Sequence, residues 1–126
     1  MRAVRSHDTK PELLVRKLAF EIRPGYRLHR KDIPGKPDLA YIGAKKVIFV
    51  HGCFWHGHDC ARGARVPVQN RDYWVAKIGR NVERDERNLA AVAADGWHSL
   101  VIWECELKEP DKVRSRLVAF LSRFYP

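Results

Sequence analysis

One short run constrains this chain more than any other feature. Cys53, His56, His58 and Cys60 fall within eight residues, with Phe54, Trp55, Gly57 and Asp59 between them. The third and last cysteine, Cys105, lies far downstream. Residues 52–71 read as an irregular segment rich in Gly, His and Cys, and a loop of that length inside a small domain needs something to order it. Structural zinc wants four tetrahedral donors, usually Cys with some His. Drawing all three cysteines into one site gives a Cys3His set, with His56 or His58 as the fourth donor and Asp59 not excluded. Such a site would tie the loop to the later strand that leads into Cys105. Ordinary buried cysteines beside surface histidines explain each residue singly but not their density.

The same cysteines bear on compartment. Three cannot all pair, and a disulfide scaffold would carry more, so a reducing environment is expected. Residues 1–10 contain no apolar signal core, and no run of about 18 apolar residues occurs. A cytoplasmic protein is the expectation. The length of 126 residues suits one domain, residues 1–126, with a single core. Hydrophobic residues at 45% and charged residues at 31% exclude a disordered or collagen-like chain.

The net charge of +9 is unevenly spread. Residues 1–36 carry ten Lys/Arg against four Asp/Glu, a net +6; the other 90 carry fourteen against eleven, a net +3. A basic first third on a balanced body points to a polyanion-binding face, most often for nucleic acid. Solubility alone is the plainer alternative.

Periodicity predicts the order α-β-β-β-α-β-α. Thr9 caps a first helix, Pro11 is tolerated in its first turn, and Glu12 stands where a capping box puts its acid. Leu14, Leu18 and Ile22 recur at helical spacing until Pro24-Gly25. A short strand spans Tyr26–His29, followed by a stiff connection through Pro34 and Pro37. Strands at Leu39–Ile42 and Val47–Val50 pair around Gly43-Ala44, the second apolar throughout and so central in a sheet. A long helix runs from Tyr73 to about Ala94, closed by Asp95-Gly96. Ser99–Trp103 is another buried strand, with Trp97 and Trp103 as core residues, and Asp111 caps a last helix reaching Phe124. This is an α/β sandwich with a mixed sheet, able to host a site at its strand ends.

A zinc closed by four protein donors has no open position and does no chemistry. The reaction must lie with other residues near the loop: Asp38 at a strand start, His51 at a strand end, His56 in the loop, Asp85 on the long helix. A carboxylate at a strand end suits a hard cation such as Mg2+ completed by water and phosphate, and a nearby histidine can activate water. Taken singly, Asp38 also fits a turn, His51 a satisfied core position and Asp85 a solvated helix face. Only their assembly points to metal-assisted phosphodiester hydrolysis.

Four stretches then resemble one family. Pro37-Asp38, the run Val47 to Cys60, the helix positions Tyr73, Trp74, Lys77, Ile78, Asn81, Arg84 and Asp85, and Gly96-Trp97 through Trp103, Glu104 and Cys105 resemble the very-short-patch repair (Vsr) DNA mismatch endonucleases, from Met1 to about Leu107. The resemblance implies a restriction-endonuclease-like core that nicks one strand 5′ to the T of a T·G mismatch in double-stranded DNA. It implies Asp38 as a Mg2+ ligand with the carbonyl of Val50, and Glu12 as an acid organising metal-bound water. His56 looks like the general base, Asp85 the carboxylate orienting it, and His51 a group near the scissile phosphate. The family's structural zinc falls on Cys53, His58, Cys60 and Cys105. Phe54, Trp55 and Trp74 resemble an aromatic wedge, whose insertion is easier at a weakly stacked T·G step. Lys77 and Asn81 match residues near the mismatched bases.

Departures from the family pattern are Val50 where a hydroxyl residue is common, Gly57 and Asp59 in a usually His-rich loop, and a start at the position after the family's upstream DNA-gripping arm. A monomer is expected. The competing expectations are a restriction-associated nicking enzyme of other specificity, and a zinc-stapled DNA-binding module without catalysis.

Overall fold

Residues 46–51 present side chains alternately to two faces, apolar on both except for Lys46 and His51, as a strand covered from both sides requires. A computed structural model describes residues 9–53, 58, 60 and 66–122. In chain order these form α1 (Lys10–Ile22), β1 (Arg27–Leu28), β2 (Leu39–Tyr41), β3 (Lys46–His51), α2 (Arg71–Ala94), β4 (His98–Trp103), a 3-10 helix (Glu104–Lys108) and α3 (Pro110–Leu121). The strands make one mixed sheet in the order β1-β2-β3-β4. β1, β2 and β3 are antiparallel neighbours, and β4 joins β3 in parallel. A parallel pair needs a crossover connection, which contains α2. The predicted element order is thus present, and β3 is central.

Strand alternation sorts the core into two layers. Leu39, Tyr41, Ile48 and Ile102 face Val15, Leu18 and Ala19 of α1 and Val113, Leu117 and Leu121 of α3. Ala40, Val47 and Phe49 face Val92 of α2, with Leu89, Trp97 and Val101 packed against them. Helices therefore cover both faces of the sheet. No helix among the described residues is long and apolar enough to cross a membrane.

The helix ends obey local chemistry. The Thr9 hydroxyl accepts from the Glu12 N–H at 3.5 Å at the start of α1, and the Tyr41 hydroxyl donates to the Arg23 carbonyl at 2.7 Å just beyond its end. α2 closes in a Schellman motif: Gly96, at φ +85°, donates to Ala93, and Trp97 donates to Val92 across the same turn. Gly35 has φ +78°, and a Cβ there would sit 2.9 Å from Cβ of Asn88. Only glycine lets the Pro34–Pro37 connection pass this close under α2.

Several expectations change in detail. β4 is an edge strand with only Ile102 buried, because among the described residues nothing pairs with its outer side. Trp97 and Trp103 are half-buried rather than central to the core. Asp111 is not the cap of α3: Glu109 is the cap residue, Pro110 opens the helix, and Asp111 lies in its first turn. The described part of α3 stops at Leu121, and Phe124 lies outside the described residues. The 3-10 helix after β4 was not anticipated. The Glu106 carboxylate fixes its start by accepting from the Trp103 N–H at 2.9 Å.

Candidate active site

Sheet register brings the first group of polar residues together. Leu28 pairs with Leu39, so the next antiparallel step sets His29 against Asp38, and the His29 N–H reaches the Asp38 carbonyl at 3.4 Å. On the other side, the Asp38 N–H donates to the Ile48 carbonyl at 3.0 Å. The Asp38 carboxylate accepts from the Val50 N–H at 2.6 Å. The acid is therefore clamped where β2 begins, against the far end of β3.

Glu12 arrives from α1. It shares the buried helix face with Val15 and Ala19 and is 5% exposed, so its carboxylate enters the interior instead of completing a surface cap. Its oxygen lies 3.6 Å from the Arg16 guanidinium and 3.8 Å from His29 Nε2. The Arg16 guanidinium meets His29 Nε2 at 2.8 Å. A guanidinium can only donate, so His29 Nε2 is the acceptor in this contact. One donor atom from each of Glu12, His29 and Asp38 lies within 4.8 Å of the others, a spacing that can hold a metal ion. Burial lifts the Asp38 carboxyl to about 7, and the Glu12 charge adds to this; the Val50 N–H and Arg16 pull the other way. A cation entering here would relieve both the burial cost and the carboxylate repulsion.

The second group forms just beyond the end of β3. β3 and β4 pair with a constant offset, Val50 beside Ile102 and His51 beside Trp103. Extending that register carries Cys53 to Cys105, and the Cys105 N–H donates to the Cys53 thiol sulfur at 3.3 Å. His58 Nδ1 lies 3.6 Å from Cys105 Sγ. Donor atoms of Cys53, His58, Cys60 and Cys105 all fall within 4.8 Å of one another. Burial pushes the Cys53 thiol up to about 12 and raises that of Cys105, so a bound cation is what would hold these sulfurs as thiolates.

Trp103 links the cysteine group to His51 at the end of β3. Its ring stacks on His58 with centroids 4.2 Å apart and planes inclined by 17°, and meets the His51 ring edge-on at 5.1 Å. His51 is buried, with Phe49 on its other side at 5.9 Å. By burial it is an interior ring; by position it ends β3 between the contact of Asp38 and the cysteine loop. Val50 and Cys53 are three residues apart, about 10 Å of extended chain.

Of the α2 residues singled out above, Asp85 has a side chain only 14% exposed, whereas Glu83, Arg84, Glu86 and Arg87 around it are exposed. It is not part of the solvated face. Trp74, Lys77 and Asn81 are half-buried along the N-terminal half of α2, and Tyr73 packs edge-on against Trp74 at 5.1 Å. Phe54, Trp55 and His56 lie outside the described residues.

Two participants escaped the sequence reading. His29 and Arg16 carry no motif. His29 was placed in a strand, yet it has φ +49° just after β1. The usable signal was register: once Leu28 pairs with Leu39, His29 must neighbour Asp38. For Glu12 the signal was helical phase, since an acid stands where the buried face of α1 expects an apolar residue.

The comparisons with known proteins agree with one another. A family profile described as DNA mismatch endonuclease Vsr matches residues 1–62. A type II nicking enzyme of Xanthomonas oryzae pv. oryzae, V.XorIIP, is 49% identical over 93% of this chain and 85% of its own length. V.NmeAIP of Neisseria meningitidis, another type II nicking enzyme, is 44% identical over 93% of this chain and 83% of its own. The DNA mismatch endonuclease Vsr of Escherichia coli is 38% identical over 90% and 72%. With several relatives of this identity aligned along most of both lengths, the chain belongs to the Vsr family of DNA endonucleases.

Proposed function

We propose that this protein is a Mg2+-dependent endonuclease with a restriction-endonuclease-like core that nicks double-stranded DNA 5′ to the T of a T·G mismatch. What supports the reading most is the clamp of Asp38 between the backbones of β2 and β3 with Glu12 beside it. A buried and a half-buried carboxylate close together cost stability unless a cation joins them, and hard oxygen donors fit Mg2+. The Cys53, His58, Cys60 and Cys105 donors fit structural zinc, three thiols and one imidazole being an ordinary closed set.

Each residue then has a task. Asp38 and the Val50 carbonyl would hold the catalytic cation, and Glu12 would order the water around it. When bound, Mg2+ would supply charge stabilisation for the negative charge that develops on the phosphate and the departing oxygen. His56 takes a proton from the attacking water while Asp85 orients its ring. His51 sits near the phosphate, held by Trp103. Phe54, Trp55 and Trp74 open the base step, with Lys77 and Asn81 near the mismatched bases and Asn81 reading a base edge. A monomer acting in the cytoplasm completes the proposal.

A second reading has its own support: two of the relatives above 40% identity are named type II nicking enzymes. On that reading the chain nicks at a specificity other than T·G. End-labelled duplexes that differ only by T·G or T·A at one position separate the two. A Mg2+-dependent nick confined to the T·G duplex is expected. Equal nicking of both duplexes favours the second reading, and binding without any nick would leave only a DNA-binding module.

A further inference from the structure

Helix α2 sorts its charges. With 3.6 residues per turn, Tyr73, Lys77, Arg80, Arg84 and Arg87 fall within an arc of about 80°, whereas Asp72, Glu83 and Glu86 occupy the adjoining arc. Moving round the helix, the acids come first, then the basic stripe, then the face with Trp74, Asn81 and Asp85. Tyr73, at the head of the stripe, is 55% exposed, and Arg80, Arg84 and Arg87 are exposed.

The stripe is costly within the folded chain. Lys77 and Arg80, Arg80 and Arg84, and Arg84 and Arg87 are like charges at the three- and four-residue spacings where helix neighbours meet, and such pairs destabilise an isolated helix. Four other cations have carboxylate partners: Arg30 with Asp32 at 2.7 Å, Lys112 with Glu109 at 2.9 Å, Arg114 with Glu21 at 2.5 Å, and Arg116 with Glu106. Among the described residues Lys77, Arg80 and Arg87 engage no carboxylate, and Arg84 only approaches Asp85, at 3.8 Å. Four cations in one row, three of them engaging no carboxylate, suit an external polyanion.

From this segregation we infer that Lys77, Arg80, Arg84 and Arg87 form a track along α2 for one strand's phosphate backbone. From Lys77 to Arg87 the helix advances about 15 Å, the length of about four nucleotide steps in a duplex. The track reads charge and spacing, not bases, so it fixes how DNA lies without choosing the step that is cut. This rests on DNA being the substrate and not on the T·G reading.

The test uses the full chain as purified, with its metal content unaltered. Binding to matched and T·G duplexes is followed by fluorescence anisotropy in Mg2+-free buffer across a salt series. The double variant Arg80→Gln/Arg87→Gln removes two phosphate contacts and leaves Arg84, the neighbour of Asp85, in place. The slope of log affinity against log salt should flatten by about 1.8. Affinity should fall by up to about 60-fold at 0.1 M salt, shrinking toward no difference at 1 M. Both duplexes should lose equally, and Lys112→Gln, which removes an acid-paired cation, should leave the slope alone. Single variants should each give about half the change, which keeps the test open should the double variant fold poorly. A slope unchanged in the variants, or a loss confined to the T·G duplex, overturns the track while wild-type binding stands. No salt-dependent binding by the wild type to either duplex overturns DNA recognition itself, and the track with it.

Discussion

Replacing Asp38 by Asn should make the Mg2+-free protein more stable while abolishing nicking. Burial lifts the Asp38 carboxyl from an ordinary 3.8 to about 7. At about 1.4 kcal/mol per pH unit, the ionised form costs the fold on the order of 4 kcal/mol. Asn keeps an acceptor for the Val50 N–H and carries no charge. The sign follows from proton binding: between pH 4 and 7 the folded chain holds a proton at Asp38 that the unfolded chain has released, so wild-type stability falls as pH rises through this window. Above about pH 7 the penalty is fully present, and below about pH 4 it is absent. Urea unfolding in Mg2+-free buffer should therefore show Asp38→Asn ahead of wild type by up to about 4 kcal/mol at pH 8, with the gap closing toward pH 4. Millimolar Mg2+ should raise the stability of the wild type and not of the variant. A variant less stable than wild type at pH 8, or a gap independent of pH, would refute a carboxylate held at a cost for the sake of a cation.

Two further outcomes are expected from the same geometry. Cys105→Ser should lose bound zinc, measured by elemental analysis, together with several kcal/mol of stability, since ligand loss removes folding free energy; a variant with full zinc content would exclude the four-donor set. His29→Ala leaves Arg16 and Glu12 without the ring between them and should weaken the apparent Mg2+ affinity in nicking assays 10- to 100-fold. His29→Gln, which retains an acceptor for Arg16, should recover most of that loss, and equal defects in the two variants would remove the positioning role.

Local chemistry made much of this molecule legible in its sequence. Thr9 and Pro11 announced the start of α1, Asp95-Gly96 the end of α2, and the apolar run of β3 its central place, because caps, turns and alternation act over a few residues. The candidate metal donors were legible as a density of Cys and His, although preferring His58 to His56 rested on the family resemblance. The misreadings share one cause. Trp103 read as core because it lies at the end of an apolar strand, but β4 sits at the sheet edge, and its ring stacks on His58 instead. Asp111 read as a cap because Asp favours that place, yet Pro110 can occupy the first helical position and moves the boundary back to Glu109.

The sequence by itself determined the element order, the charge asymmetry and the candidate donors, all set by neighbours close along the chain. Only the tertiary structure decided which of those donors meet. Asp38 finds His29 through the antiparallel register of β1 and β2, Cys53 finds Cys105 through the parallel offset of β3 and β4, and Glu12 reaches Asp38 because α1 packs with that side inward. Register is a cooperative property of two distant segments, fixed by how the sheet buries both its faces. No local pattern carries it, which is why His29 came into view only when the strands were paired.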